Sequence, residues 1–345
     1  MKYLLLGLAL LSSSAFAAQR YQVISAHPHD LEHINGKVKT VYQNGRLWIV
    51  EASELSAEAK KILKPISGDE KSYFPPVLKS RNSNSQVQEL TEKVSETFIR
   101  ETVARLSAYK TRVVGSKDNQ KAVDEIEKNF SELGYVTSRT CHVASSCSVV
   151  AEKVGTVPGV ILVMAHIDSV GKDFAGADDN ASGTAVLLEM ARVLSTYKNQ
   201  KTLRFFTTNG EESGLLGAKN YAKELQKSGA IKDIHLAINM DMVGYNSNSV
   251  VELETNAPYE TLAKWFAELA TTYTSLKTKI TIGAWGSDHV PFLDAKVPTM
   301  LTIENWATKT PCYHLACDKP DTLNYGYATE IGKLNVAAVV VKDLE

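Results

Sequence analysis

The sequence predicts an α/β protein: one globular domain with a central, mostly parallel mixed sheet flanked by helices, preceded by a small N-terminal pro-region. Three observations carry this. From residue 86 onward, apolar runs of strand length alternate with stretches of helical periodicity, the pattern of a largely parallel sheet covered on both faces. The run 160–165 is continuously apolar, as a central strand buried on both faces requires. Residues 18–80 break the pattern and end in a polar run.

In chain order, Lys2, the apolar run 3–11, three serines and Ala15-Phe16-Ala17 read as a signal peptide of residues 1–17. Its apolar part is too short to span a bilayer, and no later stretch reaches the twenty or so apolar residues that would. The mature chain is therefore expected to begin near Ala18 and to be secreted or periplasmic, with no membrane partner after signal cleavage. Within 18–80, segments 38–42 and 47–50 flank Asn44-Gly45, a hairpin signal. A short helix is expected over 56–63. The run Ser80-Arg81-Asn82-Ser83-Asn84-Ser85 reads as a linker or protease-sensitive boundary. This segment is read as a propeptide of about 60 residues, a permanent N-terminal subdomain being the alternative. Its His27, His29 and His33 are read as surface residues.

Residues 81–345 form the main domain. Helices are expected over 87–106, 120–133, 181–196, 215–227, 257–272 and 327–342, and strands over 160–165, 203–208, 235–240 and 298–303. The chain has 38 basic and 39 acidic residues and is 44% hydrophobic, which excludes a disordered chain and argues against nucleic acid as a partner. A monomer is expected. The four cysteines form two close pairs, Cys141/Cys147 and Cys312/Cys317. In an oxidising compartment each pair closes a local disulfide loop, four free buried thiols being the alternative.

The residues that follow the strands carry the chemistry. The first strand ends in His166-Ile167-Asp168 and soon reaches Asp178-Asp179; the second ends in Glu211-Glu212, the third in Asp241, and the fourth is followed by Tyr313-His314. In a parallel sheet the ligand crevice lies at the carboxyl ends of the strands. His166, Asp179, Glu212, Asp241 and His314 can therefore converge although 148 residues separate the first from the last. Each motif alone has an ordinary explanation, such as a helix cap or a solvated helix start; their ordered recurrence does not. Buried carboxylates repel one another and are costly to desolvate, and a divalent cation removes that cost. Nitrogen and oxygen donors without thiolates suit zinc, or a neighbour such as cobalt or manganese. Two such ions bring four positive charges, which three carboxylates and one hydroxide match, and a bridging carboxylate sets them roughly 3.5 Å apart.

These stretches resemble the bacterial leucyl aminopeptidase family of secreted dizinc metallopeptidases. The resemblance rests on Ala165-His166-Ile167-Asp168-Ser169, on Gly176-Ala177-Asp178-Asp179-Asn180-Ala181-Ser182-Gly183, on Gly210-Glu211-Glu212-Ser213-Gly214, on Asn239-Met240-Asp241-Met242, on Ser287-Asp288-His289 and on Cys312-Tyr313-His314-Leu315-Ala316-Cys317-Asp318. It runs from about residue 90 to the C-terminus in the family's motif order, leaves residues 18–80 outside, and implies that 81–345 is a zinc aminopeptidase catalytic domain. It also implies two Zn2+ per chain. Asp179 would bridge them, His166 and Asp241 completing one site and Glu212 and His314 the other. Glu211 would be the general base, and Asp168 would hydrogen-bond His166. Tyr313 matches a position where some members carry an oxyanion-stabilising tyrosine; others place it before Ser-Asp-His, where this chain has Ala284-Trp285-Gly286. Cys312 and Cys317 bracket His314 as in one branch of the family, and Asp288 and His289 would pack beside the site.

The implied reaction is hydrolysis of the N-terminal peptide bond of peptides or proteins, and an activating protease becomes a partner if the pro-region is cleaved. A hydrophobic, Leu-like N-terminal residue is the expected preference, with Met242, Trp285, Met300, Ile303 and Trp306 available to line a pocket. Glu304 or Asp294 within it would instead favour Lys or Arg. A single-zinc glutaminyl cyclase and a non-catalytic binding module on the same fold are the alternatives. A serine hydrolase lacks its G-x-S-x-G, and H-E-x-x-H and phosphate-binding loops are absent.

Overall fold

A computed structural model describes residues 19–23, 38–44, 47–52, 55–57, 59–66, 68–76, 83–143, 145–171, 173, 176–246, 248–283 and 285–345. The signal sequence, the three N-terminal histidines, the hairpin tip at Gly45 and residues 80–82 of the polar run lie outside the described residues. The chain divides into two compact units: residues 1–43 with 48–67, and residues 68–345 with 44–47.

The first unit is a four-stranded sheet of β1 (Gln19–Val23), β2 (Val38–Asn44), β3 (Leu47–Ala52) and β4 (Leu63–Pro65), in the order β2-β3-β1-β4. The two strands expected around Asn44-Gly45 are neighbours. The helix expected over 56–63 is a single turn, α1 (Ala59–Ile62), begun where the Ser56 Oγ accepts the Ala59 N–H at 3.1 Å. Leu63 is drawn into strand because it joins Val23, Val50 and Ala59 in this unit's small core.

The second unit contains β5 (Lys71–Tyr73), α2 (Ser85–Glu92), α3 (Glu96–Ser107), α4 (Lys117–Glu132), β6 (Val136–Val143), β7 (Ser146–Lys153) and β8 (Val160–His166). It continues with α5 (Gly183–Leu194), β9 (Thr202–Thr208), α6 (Leu216–Ser228), β10 (Ile234–Asp241), β11 (Val250–Thr255), α7 (Glu260–Tyr273) and β12 (Lys277–Ile282). It ends with α8 (Val290–Asp294), β13 (Thr299–Glu304) and α9 (Tyr325–Leu344). Its nine-stranded sheet runs β5-β12-β11-β13-β10-β8-β9-β7-β6. The four strands expected from sequence are its centre: β13, β10, β8 and β9 lie side by side and all parallel. Val160, Leu162 and Met164 face one core and Ile161, Val163 and Ala165 the other, so β8 has no polar alternation to show. Helices α2, α3, α4, α5, α7 and α9 cover one face, and α6 and α8 the other.

The flanking strands were not expected, for local reasons. β6 is an edge strand with many exposed positions, and β11 and β12 carry the buried Glu252, Glu254 and Lys279; Glu252 bonds Lys279 and Thr281, and Glu254 accepts the Trp285 amide. The single helix expected over 87–106 is two helices. Ser95 caps α3, its Oγ accepting the Phe98 N–H at 3.2 Å, while the Ser95 N–H is taken by the buried Glu189 carboxylate. A residue whose own amide must leave the ladder ends one helix and starts the next. Helix α6 ends at Gly229, where φ is 82°. Both local disulfides form, Cys141–Cys147 and Cys312–Cys317. No helix among the described residues is long and apolar enough to cross a membrane.

Residues 71–73, within the segment read as pro-region, are the edge strand β5 of the main sheet. β5 pairs antiparallel with β12. Glu260 anchors it, with Lys71 Nζ at 2.5 Å and the Tyr73 hydroxyl at 2.8 Å. Those bonds and Lys264 hold the Glu260 carboxyl down at about 2, so the anchor is complete above the ordinary glutamate range and weakens as pH falls through it. Glu260→Ala is expected to speed tryptic cleavage after Lys71 about fivefold at pH 7, with little change in the rest of the digest pattern; limited proteolysis read by mass spectrometry checks this.

Candidate metal centre

The carboxyl ends of β8, β9 and β10 and the loop after β13 meet at one point. His166 is the last residue of β8, and its carbonyl is held by the Thr184 Oγ1 at 2.7 Å. Asp241 is the last residue of β10; the Ser287 hydroxyl donates to its Oδ2 at 2.6 Å. Asp179 lies in the wide turn Ala177–Ser182 that leads into α5. Asn180 follows it through a cis peptide bond. The Asn180 Oδ1 accepts the Gly183 and Met242 amides, and its Nδ2 donates to the Met240 carbonyl. A Cβ on Gly183 would fall 2.3 Å from Asn180 Oδ1, so only glycine lets α5 start this close to β10.

The sequence-predicted ligands form two triads that share Asp179. Its Oδ1 is 3.3 Å from His166 Nε2, which is itself 3.3 Å from Asp241 Oδ1. Its Oδ2 is 3.0 Å from His314 Nε2, which is 3.2 Å from Glu212 Oε2. In each triad, one ligand atom per residue lies within 4.8 Å of the others. Glu211 belongs to a further group with His166 and Glu212. All five predicted ligands and the adjacent Glu211 are thus brought together.

Electrostatics identify what the cluster lacks. Burial and the neighbouring Asp179 push Glu212 up to about 8, and burial with Glu212, Asp241 and Asp288 pushes Glu211 well above the carboxylate range. Burial alone would lower His314, but Asp179 and Glu212 raise it to about 10; in the same way Asp241, Asp168 and Asp179 hold His166 well above its usual value. Asp179 stays well below the usual range against its burial, because both imidazoles face it. Protons stand where cations would, and the buried Glu212 Oε1 has no hydrogen-bond partner. Imidazole nitrogens and carboxylate oxygens grouped in these triads are a donor set that fits zinc-like cations.

The supporting contacts differ from expectation at one residue. Asp168 reaches His166 Nδ1 with its backbone carbonyl, at 3.1 Å; its carboxylate is 3.7 Å away, too far for a hydrogen bond. That carboxylate instead accepts the amides of Glu211 and Glu212, at 3.1 and 3.2 Å. Asp168 therefore orients the His166 ring through its main chain and fixes the Glu211-Glu212 peptide through its side chain. Asp318 does the same for the neighbouring loop, accepting the amides of Asp178 and Asp179. Asp318, Ser287 and Thr184 had no assigned role in the sequence, where a hydroxyl or acid inside a motif carries no sign of its target.

His314 sits at φ 57° inside the loop closed by Cys312–Cys317, and its ring stacks on Tyr313 at 3.8 Å. Tyr313 in turn meets Trp306 edge-on, and Trp306 meets Trp285. Met242, Leu301 and Ile303 pack with Trp306 and Tyr313 as one apolar group. Met300 is not part of it: strand alternation turns it to the opposite face of β13, into the main core. Glu304 is buried and pushed well above the carboxylate range by burial and by Asp178, while its Oε1 takes the Thr310 amide. Asp294 is exposed at the end of α8. Asp288 bonds the Thr208 hydroxyl, and His289 bonds Glu254.

Ligation needs neutral imidazoles and an ionised Glu212, and the metal-free cluster raises the proton affinity of His166, His314 and Glu212 alike. Zinc binding to the metal-free chain is expected to release about two to three protons at pH 7 and to tighten as pH rises. Calorimetry in buffers of different ionisation enthalpy measures this; proton-neutral binding would mean another donor set.

Residues 148–339 match the family described as Peptidase family M28. Aminopeptidase YwaD of Bacillus subtilis is 34% identical over 193 residues, which is 53% of this chain and 41% of that protein. The chain spans about half the length of the curated relatives it matches first. The LapA aminopeptidase of Legionella pneumophila superposes with a TM-score of 0.73 at 20% identity, covering 95% of this chain and 99% of that one. BSAP, a zinc aminopeptidase from Bacillus subtilis, gives 0.65 at 18%, covering 72% and 95%. The glutaminyl cyclase of Porphyromonas gingivalis gives 0.61 at 20%, covering 72% and 99%. These three likenesses establish a shared fold.

Proposed function

The chain belongs to peptidase family M28, and from that premise we propose that it is an exported aminopeptidase that removes N-terminal residues from peptides with two zinc ions. One observation carries the reading: Asp179 offers one oxygen to His166 and the other to His314, so that two triads share a single carboxylate. A one-metal site has no use for that. The solved structures named aminopeptidase support it through their fold, and BSAP through its zinc.

Zinc bound in the two triads would polarise the scissile carbonyl and make a water acidic near neutral pH. The chain's own residues do the rest. Glu211, held by Asp168 through its amide and placed beside His166 and Glu212, takes a proton from the attacking water and returns it to the leaving amine. Burial raises its proton affinity in the metal-free chain. Glu212, one residue on, is committed to His314 and the metal. Tyr313, stacked on His314, is assigned to the developing oxyanion.

Trp306 and Tyr313 lie half-buried over Met242, Leu301 and Ile303, and Tyr313 joins this apolar group to His314, which supports a hydrophobic, Leu-like first residue. Glu304 is buried, held well above the usual carboxylate range by that burial and bonded to the Thr310 amide, which argues against a site for a basic side chain. Residues 1–17 are assigned as the export signal and the first unit as the pro-region; the pairing of β5 with β12 supports a pro-region that ends before Lys71 rather than at residue 80.

Glu211→Gln is expected to keep its zinc and lose at least ~100-fold in kcat, a general base contributing that much or more. Near-normal turnover with metal content verified would refute the role. Asp179→Asn is expected to lose zinc and activity together, since it removes the shared ligand charge; metal analysis after dialysis checks this. On a panel of aminoacyl-nitroanilides the Leu substrate should exceed the Lys substrate in kcat/KM by at least ~10-fold. A zinc-to-protein ratio of one with cyclisation of N-terminal glutamine would replace this reading by a glutaminyl cyclase.

A further inference from the structure

We propose that Arg112, in the connection between α3 and α4, is a positioning residue of the metal centre: it ties the ligand-bearing loops together and keeps a fixed positive charge among them. The inference rests on the two-triad reading above. Arg112 is 1% exposed. Its guanidinium donates to three main-chain carbonyls from separate elements: Leu106 at the end of α3 (Nη1, 3.0 Å), Ile167 beside His166 (Nε, 2.8 Å) and Gly176 at the start of the Asp179 turn (Nη2, 2.8 Å).

Its main chain extends the tie. The Arg112 amide donates to Ser169 Oγ, and the Ser169 amide donates to the Arg112 carbonyl. That carbonyl also accepts the Asn119 Nδ2 at 2.9 Å. Asn119 exchanges two amide hydrogen bonds with Asn209, at 3.0 and 2.9 Å, two residues before Glu211. The loops carrying His166, Asp179 and Glu211-Glu212 are therefore all fastened, directly or through one amide, to the segment 112–119.

The chemistry demands arginine. Three carbonyls in divergent directions need donors on different nitrogens of a rigid fork, which lysine lacks. The fit is close: Gly176 has φ +55°, and a Cβ there would meet Arg112 Nη2 at 3.1 Å and Asp179 O at 2.5 Å. Burial lowers the guanidinium to about 10, while Asp318, Asp168, Asp179 and Glu212 support its charge, so it is a cation at every pH at which the site works. Unlike the metals, this cation cannot dissociate. It spares the loops the full carboxylate repulsion while the site is empty or half-loaded.

The test uses the full-length protein with Arg112→Lys and Arg112→Met, reading zinc dissociation constants by chelator competition, the cobalt(II) visible spectrum, and kcat and KM separately. Loss of a group that orients ligands costs ~10- to 100-fold in metal affinity or activity. The lysine variant, which keeps the charge but not the fork, should fall near the low end of that range and the methionine variant near the high end. Altered cobalt spectra and a fall in kcat with KM nearly constant should accompany this. A purely structural role predicts a lower melting temperature with zinc affinity and spectrum unchanged in the folded protein, and that result overturns the proposal. So does failure of both variants to fold in excess zinc, which would assign Arg112 to folding alone. Wild-type chain that binds no zinc would end the metal-centre reading itself; wild-type binding matched by both variants ends only this one.

Discussion

Repulsion among buried carboxylates is the constraint the rest of this molecule answers. Asp168, Asp178, Asp179, Glu211, Asp241, Asp288 and Asp318 are all buried around one point, with Glu212 beside them. No sheet would tolerate this without compensating charge or donors. The fold brings them together because parallel strands end on the same side, and it pays for the crowding in two ways. Imidazoles face the predicted ligand acids Asp179, Glu212 and Asp241; main-chain amides or hydroxyls face Asp168, Asp178, Asp288 and Asp318.

The division is visible residue by residue. Asp168 and Asp318 each accept two consecutive amides, an arrangement that binds a carboxylate and at the same time orders a loop. Asp178 takes the Gly244 amide and the Ser182 hydroxyl. The ligand acids Asp179 and Glu212, by contrast, turn their side chains to the histidines. An acid serving as ligand keeps its lone pairs for metal, and an acid serving as scaffold uses them on backbone.

This explains what was legible in the sequence. The central strands β8, β9, β10 and β13 were readable because burial on both faces leaves long apolar runs, and the ligands were readable because they sit at the ends of those runs. Strands β11 and β12 were not, since the buried Glu252 is satisfied by Lys279 and Thr281 of the next strand and Glu254 by the Trp285 amide and His289, partners invisible one segment at a time. The break between α2 and α3 depends on Glu189, 94 residues after the Ser95 amide it accepts. Asp168 showed its importance but not its target. The resemblance implied a hydrogen bond to His166, which Asp168 makes with its main chain; the partner of its carboxylate is set by the next loop over. Arg112 left no signal, because its partners are carbonyls that every residue carries.

The two triads are unequal, and the inequality follows from how each is held. His166 and Asp241 end strands in the middle of the sheet, and the His166 side chain is 1% exposed. His314 rides on a short disulfide-closed loop, in a left-handed backbone conformation, with its side chain 13% exposed. The strand-borne half has little freedom to move and no open side. The loop-borne half borders the small cavity lined by Ser169, Val170, Gly176 and Leu315 and the aromatic group of Trp306 and Tyr313. The loop-borne half is the more exposed of the two, so its histidine needs a mounting that is stiff without being buried. A six-residue covalent loop, Cys312 to Cys317, with a tyrosine stacked on the ring supplies stiffness that packing, at an open surface, could not.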